Sequence, residues 1–244
     1  MHYAVTDEVA TLTLDSQPNR NALSRRLFSE LYDGLERAES DAAAKVVLLR
    51  AEGPTFCSGA DLAEASAGGM GKAAGVLVDL QRRIVTHEKP VVARVHGSVR
   101  AGGIGIVAAC DIAISATDAT YAFTEVRLGL TPAAVSLTVL SRMSDRAASL
   151  TFLTGEIFDG NAAAEAGLVT QAIASPDLDT RVAQVCAALA KAHPQGLRET
   201  KLLLGRHLVE RIDSDGGDLA ALSARLFASK EAKTAMLAFL GRKK

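Results

Sequence analysis

Gly102, Gly103 and Gly105 fall in the stretch Val91–Ser115, which reads as strand, glycine-rich turn, short apolar helix and second strand. Glycines at a helix start let main-chain N–H groups that lack intrahelical acceptors come close to a ligand. That arrangement holds negative charge. A second turn of the same kind occurs at Phe56-Cys57-Ser58-Gly59-Ala60-Asp61-Leu62. Two backbone-donor turns in one chain predict a two-point clamp on a single oxygen, the device that stabilises an oxyanion. Other chemistries find little support. Cys57, Cys110 and Cys186 are odd in number and form no CxxC pair, and the five histidines lack ligand spacing. Neither a disulfide framework nor a metal site is predicted.

The elements that must hold these turns are readable from periodicity. Tyr3–Thr6 and Val9–Leu14 alternate like a hairpin closed around Asp7-Glu8. Ser24 caps a helix running to about Glu39, with Leu27, Leu31 and Leu35 on one face. Val46–Leu49 and Val91–Val95 are continuous apolar runs, as expected of strands buried on both faces. Val76–His87 reads as a helix, Ile112–Ser115, Tyr121–Phe123 and Leu168–Ile173 as strands, and Ala133–Arg142 and Asp145–Leu153 as helices. Ala65–Lys72, with Gly68, Gly69 and Gly71, reads as a loop or frayed helix start. Beyond that the chain turns helical: Leu178–Ala192, Leu197–Ile212, Asp218–Phe227 and Lys230–Leu240, with a break at Asp213-Ser214-Asp215-Gly216-Gly217. The division expected is an α/β core over 1–175 and a helical region over 176–244.

The 244 residues suit one domain or one with a small appendage, and 48% hydrophobic residues supply its core. A net charge of −1 with no basic stripe gives no indication of nucleic acid. No apolar run reaches the roughly 18 residues of a membrane span, and the acids near the N-terminus do not suit a secretory signal. The expectation is a cytoplasmic protein without membrane or nucleic-acid partners.

In order and spacing, Asn21-Ala22-Leu23, Phe56–Leu62, His96-Gly97 through Asp111-Ile112, Thr124–Pro132, Thr154-Gly155 and Ala166–Val169 resemble the crotonase, or enoyl-CoA hydratase/isomerase, superfamily over nearly the whole chain. The resemblance implies a crotonase (ClpP-like) α/β fold of repeated ββα units, with a C-terminal helical region that assembles a homotrimer or a dimer of trimers. It also implies an acyl-CoA thioester substrate, coenzyme A being part of the substrate and no separate cofactor being needed. By motif position the two thioester-binding amides are those of Ala60 and Gly102. Family hydratases commonly carry two glutamates. One position is Gly105 here, and the other is Glu125. A carboxylate screened from water has a raised pKa suited to proton transfer.

One acid can serve hydration, guiding a water to C3 and protonating C2, or it can shuttle a proton in double-bond isomerisation. The bare chemistry leans to the isomerase. The wording GGIGIVAACDIAI followed by EVRLGLTPA resembles hydratases of branched or carboxylated enoyl-CoAs, such as the methylglutaconyl type, and favours the hydratase. A non-catalytic acyl-CoA binder is the third reading. A nicotinamide enzyme, suggested by the G-x-G-x-x-A pattern at Gly103–Ala108, is disfavoured by the five residues between Val95 and Ala101 and by the absence of an acid on the right strand.

For coenzyme A, the resemblance points to Arg20, Ala22, Ser58, Ala60, Asp61 and Leu62, and to Phe239 with Arg242 from a neighbouring subunit. Asp61 reads as a helix cap rather than a catalyst, and His96 and Asp111 as structural. Arg127 is expected to order the loop beside Glu125. Arg100, where relatives carry an apolar residue, is either a carboxylate-gripping group, a surface residue or a subunit contact. Ala65–Lys72 and the alanine-rich Ala133–Leu140 suggest room for a bulky acyl chain.

Overall fold

A computed structural model describes residues 1–61, 64 and 70–241, with side chains undescribed at 70–72 and 239–241. The N-terminal hairpin forms as its alternation predicts. Strands β1 (His2–Thr6) and β2 (Val9–Leu14) pair antiparallel around Asp7 and Glu8, both at positive φ, the geometry of a two-residue primed turn. Ser24 then caps helix α1 (Arg25–Ser40), its hydroxyl accepting the Leu27 N–H, and Leu27, Phe28, Leu31 and Leu35 turn inward.

Three strand–strand–helix units follow. The strand pairs are β3 (Val46–Ala51) with β4 (Thr55–Cys57), β5 (Val91–Val95) with β6 (Ser98–Arg100), and β7 (Ile112–Ala116) with β8 (Thr120–Ala122). The helices are α2 (Met70–Thr86), α3 (Gly102–Ala109) and α4 (Ala133–Val139). In each unit the first strand joins one sheet and the second strand joins another. Helices α5 (Asp145–Thr154) and α6 (Gly160–Glu165), and short strands β9 (Phe158–Asp159) and β10 (Gln171–Ile173), complete the two sheets. The larger has the order β1-β2-β3-β5-β7-β10 and is parallel apart from β1; the smaller has the order β4-β6-β8-β9. Val46, Val47, Val91, Val92 and Ile114 are completely buried, which explains the unbroken apolar runs. The predicted last strand over Leu168–Ile173 is shorter than expected. Leu168 and Val169 are buried in the turn leaving α6, and only Gln171–Ile173 pair with β7.

The C-terminal region is helical, comprising α7 (Leu178–Ala190), α8 (Pro194–Ala228) and α9 (Lys230–Gly241). The break expected at Asp213–Gly217 is absent: α8 is one helix of 35 residues. Its partner α2 overrides the local glycine signal. Asp213 pairs with Arg82 at 2.6 and 3.2 Å, and a Cβ on Gly216 would lie 2.8 Å from Val78 Cγ1, so glycine permits the close approach. Further along the same contact the buried Lys201 ammonium donates to Ile84 O, Lys89 O and Asp111 Oδ2. Asp111 also accepts the Val91 N–H. No helix among the described residues is long and apolar enough to cross a membrane.

Candidate active site

The smaller sheet gathers the candidate residues. Strands β4, β6 and β8 are adjacent and parallel, with Cys57 opposite Val99 and Arg100 opposite Ala122. Segments leaving parallel neighbours emerge at the same sheet end. Ala60 lies shortly beyond β4, Gly102 opens the helix after β6, and Glu125 lies in the 3-10 turn Thr124–Leu128 after β8. The three residues expected to do chemistry therefore share one end of one sheet.

The two glycine-rich turns also pack on each other. A Cβ on Gly103 would sit 2.7 Å from Cys57 Cβ and 2.9 Å from its Sγ. Gly59, at φ +89°, lies against Arg100 O and Ala101 Cβ, each 3.2 Å from where a Cβ would stand. Ala101 adopts φ 47° and ψ −118°, a conformation that L-residues rarely take and that strains the backbone by about 1–3 kcal/mol. Its carbonyl accepts the Ile104 N–H at 2.9 Å, and the turn passes directly into α3. Among the described residues, no protein acceptor takes the Ala60 or Gly102 N–H. Upstream, the buried side chain of Asn21 ties this corner together: it accepts Ser16 N–H and donates to Glu52 O and Thr55 O.

Two cavities share Ala60, Ala101, Glu125 and Phe227 as common wall. The apolar one is narrow, about 90 Å³, and is bounded by Leu23, Phe28, Leu77, Gly102 and Ala133–Val135, with Ser223 of α8. Of the two segments expected to shape an acyl pocket, Ala133–Val135 line this cavity beside Phe28 and Leu77. The larger cavity, about 830 Å³, is lined by Arg20, Ala22, Ser58, Asp61, Arg100, Arg127 and, from α9, Ala235 and Ala238. Leu62 and Arg242 lie outside the described residues, as do residues 65–69 and the side chain of Phe239.

Glu125 is the acid common to both cavities. Its Oε2 is buried and has no partner among the described residues. Burial pushes its carboxyl up to about 7, against a smaller opposing pull from its own main-chain N–H. An ion pair with Arg127 does not form. Arg127 donates instead to Thr154 O at 3.2 Å, anchoring the loop. Where a second acid would stand, Gly105 faces a filled space. A Cβ there would lie 3.0 Å from both Gln81 Oε1 and Val135 Cγ1. Gln81 is fully buried and fixed, donating to Leu77 O and Ala134 O while accepting the Thr138 hydroxyl at 2.6 Å.

Other candidates resolve as follows. Asp61 Oδ1 accepts the Glu64 N–H, a capping geometry, and Oδ2 accepts from Asn19. His96 bridges Arg94 and Gly53 O. The three cysteines are free and buried, with thiols pushed up to about 12, 12 and 11 by burial. Arg100 is half-buried. Its Nη1 donates to Val99 O and Thr120 O, and its Nη2 to Thr120 Oγ1. Sequence reasoning did not identify Ala101, Gln81 or Thr138, because neither a strained alanine nor a buried amide carries a sequence signal.

Comparison with known proteins places the chain in a family. A family model described as enoyl-CoA hydratase/isomerase matches residues 5–244. A crystal structure of an enoyl-CoA hydratase from Mycobacterium avium superposes with a TM-score of 0.93 at 45% identity, covering 99% of this chain and 96% of that one. A Bacillus subtilis (strain 168) protein named "Probable enoyl-CoA hydratase" is 31% identical over 99% of this chain and 95% of its own length. An Arthrobacter protein named 4-chlorobenzoyl coenzyme A dehalogenase-1 is also 31% identical, over 96% of this chain and 92% of its length. The chain belongs to the enoyl-CoA hydratase/isomerase family, the crotonase superfamily.

Proposed function

We propose that the protein hydrates a 2-enoyl-CoA thioester. The thioester oxygen lies between the amides of Ala60 and Gly102, which hold the negative charge that develops as the enolate forms. One such donor is worth roughly 3–4 kcal/mol of transition-state stabilisation. Its backbone is fixed beforehand by the Cys57–Gly103 and Gly59–Ala101 contacts, so little reorganisation accompanies reaction. The Glu125 carboxylate takes a proton from a water as its oxygen adds to C3, and the same carboxyl returns a proton to C2. One water is consumed, and no cofactor beyond the coenzyme A of the substrate takes part. Arg20, Ala22, Ser58 and Asp61 border the larger cavity and receive the coenzyme A portion. The observation that carries the reading is Glu125, without a partner at Oε2 among the described residues and poised near 7, on the wall that Ala60 also lines.

Double-bond isomerisation is the second reading, favoured by the closed space at Gly105, since it needs one acid only. Incubation with 2-enoyl- and 3-enoyl-CoA in D₂O, followed by mass spectrometry, separates the two. Gain of one solvent water supports the hydratase. Deuterium exchange with a moved double bond supports the isomerase. An unchanged thioester that still binds refutes both. A homotrimer or dimer of trimers is part of the proposal. Exposed Leu150, Leu153 and Ile157 on and beyond α5 supply an apolar surface for association, and light scattering on the purified protein tests it.

A further inference from the structure

Arg100 presents an unanswered cation to the larger cavity. Its three hydrogen bonds use Nη1 twice and Nη2 once. Nε and one Nη2 hydrogen are left with no acceptor among the described residues. Those two nitrogens form the edge by which other arginines of this chain hold carboxylates. Arg82 grips Asp213 through Nε and Nη2, and Arg94 grips Asp179 the same way. Arg142, also lacking an acid, spends that edge on the carbonyls of Ala108 and Cys110 at the end of α3. Arg100 does neither. Burial weakens its hold on its proton, with no carboxylate among the described residues pulling the other way. Holding a guanidinium half out of water without a counter-ion is costly unless an anion arrives.

The surroundings suit such an anion. Thr55, Ser98 and Thr124 line the same cavity, and Thr120 holds the guanidinium plane in place. Arg100 immediately precedes Ala101 and Gly102 in the chain, so its side chain stands beside the proposed oxyanion turn.

We infer that Arg100 recognises a second carboxylate on the acyl group, making the substrate a dicarboxylic enoyl-CoA. The inference rests on the proposed acyl-CoA reading and names its substrate class. A planar carboxylate matches the free Nε–Nη2 edge in two parallel bonds. A phosphate of coenzyme A offers the same oxygens and is common to every substrate, so the two sources separate experimentally.

Calorimetric binding of glutaryl-CoA and adipyl-CoA is compared with valeryl-CoA and hexanoyl-CoA, of equal length and lacking the end carboxylate. Wild type and the Arg100→Ala and Arg100→Gln variants are measured, with thermal melts reporting folding. The expected result is wild-type preference for the dicarboxylic thioesters by about ten- to hundredfold. Both variants erase that preference, while valeryl-CoA affinity stays within about twofold. Equal losses on both ligand sets assign Arg100 to a coenzyme A phosphate or a subunit contact and overturn the inference. Absence of preference in the wild type also overturns it, while leaving the acyl-CoA reading intact. Failure to bind any of the four thioesters overturns both. If Arg100→Ala does not fold, Arg100→Lys supplies the same test, because an ammonium keeps the charge and loses the paired geometry.

Discussion

Replacing Glu125 by glutamine tests the site through stability as well as through rate. In the folded protein the carboxyl titrates near 7, against an ordinary 4.5. Between these pH values the native state holds a proton that the unfolded chain has released. Stability therefore falls as pH rises, the effect being small below 4.5 and complete above 7. At about 1.4 kcal/mol per pH unit the full effect is about 3 kcal/mol, of which about 2.5 kcal/mol develops between about pH 5 and 8.5. The amide of Glu125→Gln does not ionise, so every other titrating group cancels in the comparison. The variant gains about 2.5 kcal/mol on wild type over that interval, or about 5–10 °C in Tm. Denaturant or thermal melts at both pH values measure it. Hydration falls by about 10²–10⁴-fold in the variant, while wild-type kcat/KM rises with pH through about 7 as the base form appears. Parallel stability curves for the two proteins would refute the reasoning, because Glu125 would then be in ordinary contact with water.

Three further outcomes are expected. Gly103→Ala drives a methyl into Cys57, costing about 1–3 kcal/mol and lowering kcat as the turns part; wild-type kinetics and melting would contradict the contact. Gly105→Glu does not supply a second working acid. It meets Gln81 and Val135 and destabilises by more than about 3 kcal/mol, which chemical denaturation reads directly. Lys201→Met leaves Asp111 without its cation and takes one donor from the Ile84 and Lys89 carbonyls, and lowers stability by about 3–5 kcal/mol in the same assay.

Much of this was legible in the chain. Alternation located the hairpin and apolar runs located the buried strands; the glycine turns suggested backbone donors, which the family resemblance assigned to Ala60 and Gly102. The turn motif after β8 brought Glu125 into view through resemblance, and the structure supplied what moves its pKa: a buried oxygen with no partner among the described residues. What escaped was set at long range. No local signal says that β4, β6 and β8 lie side by side, although that adjacency makes one site of three distant segments. Asp213–Gly217 has turn composition, yet Val78 and Arg82 of α2 keep it helical. That Phe28 of α1 and Leu77 of α2 line one cavity with the alanines of α4 has no local signal. Ala101 carries a glycine-like conformation without a glycine's signature.

The occupied ground beside Gly105 limits where this enzyme's descendants can go. Gln81 belongs to a closed circuit with Thr138 and two main-chain carbonyls, so it does not step aside alone, and Val135 blocks the other flank. A lineage seeking a two-carboxylate machine must alter several sites in concert, each single step passing through a poorly folded ancestor. Such a barrier makes the proposed one-acid state hard to leave, and diversification is channelled into the surfaces that grip the rest of the ligand.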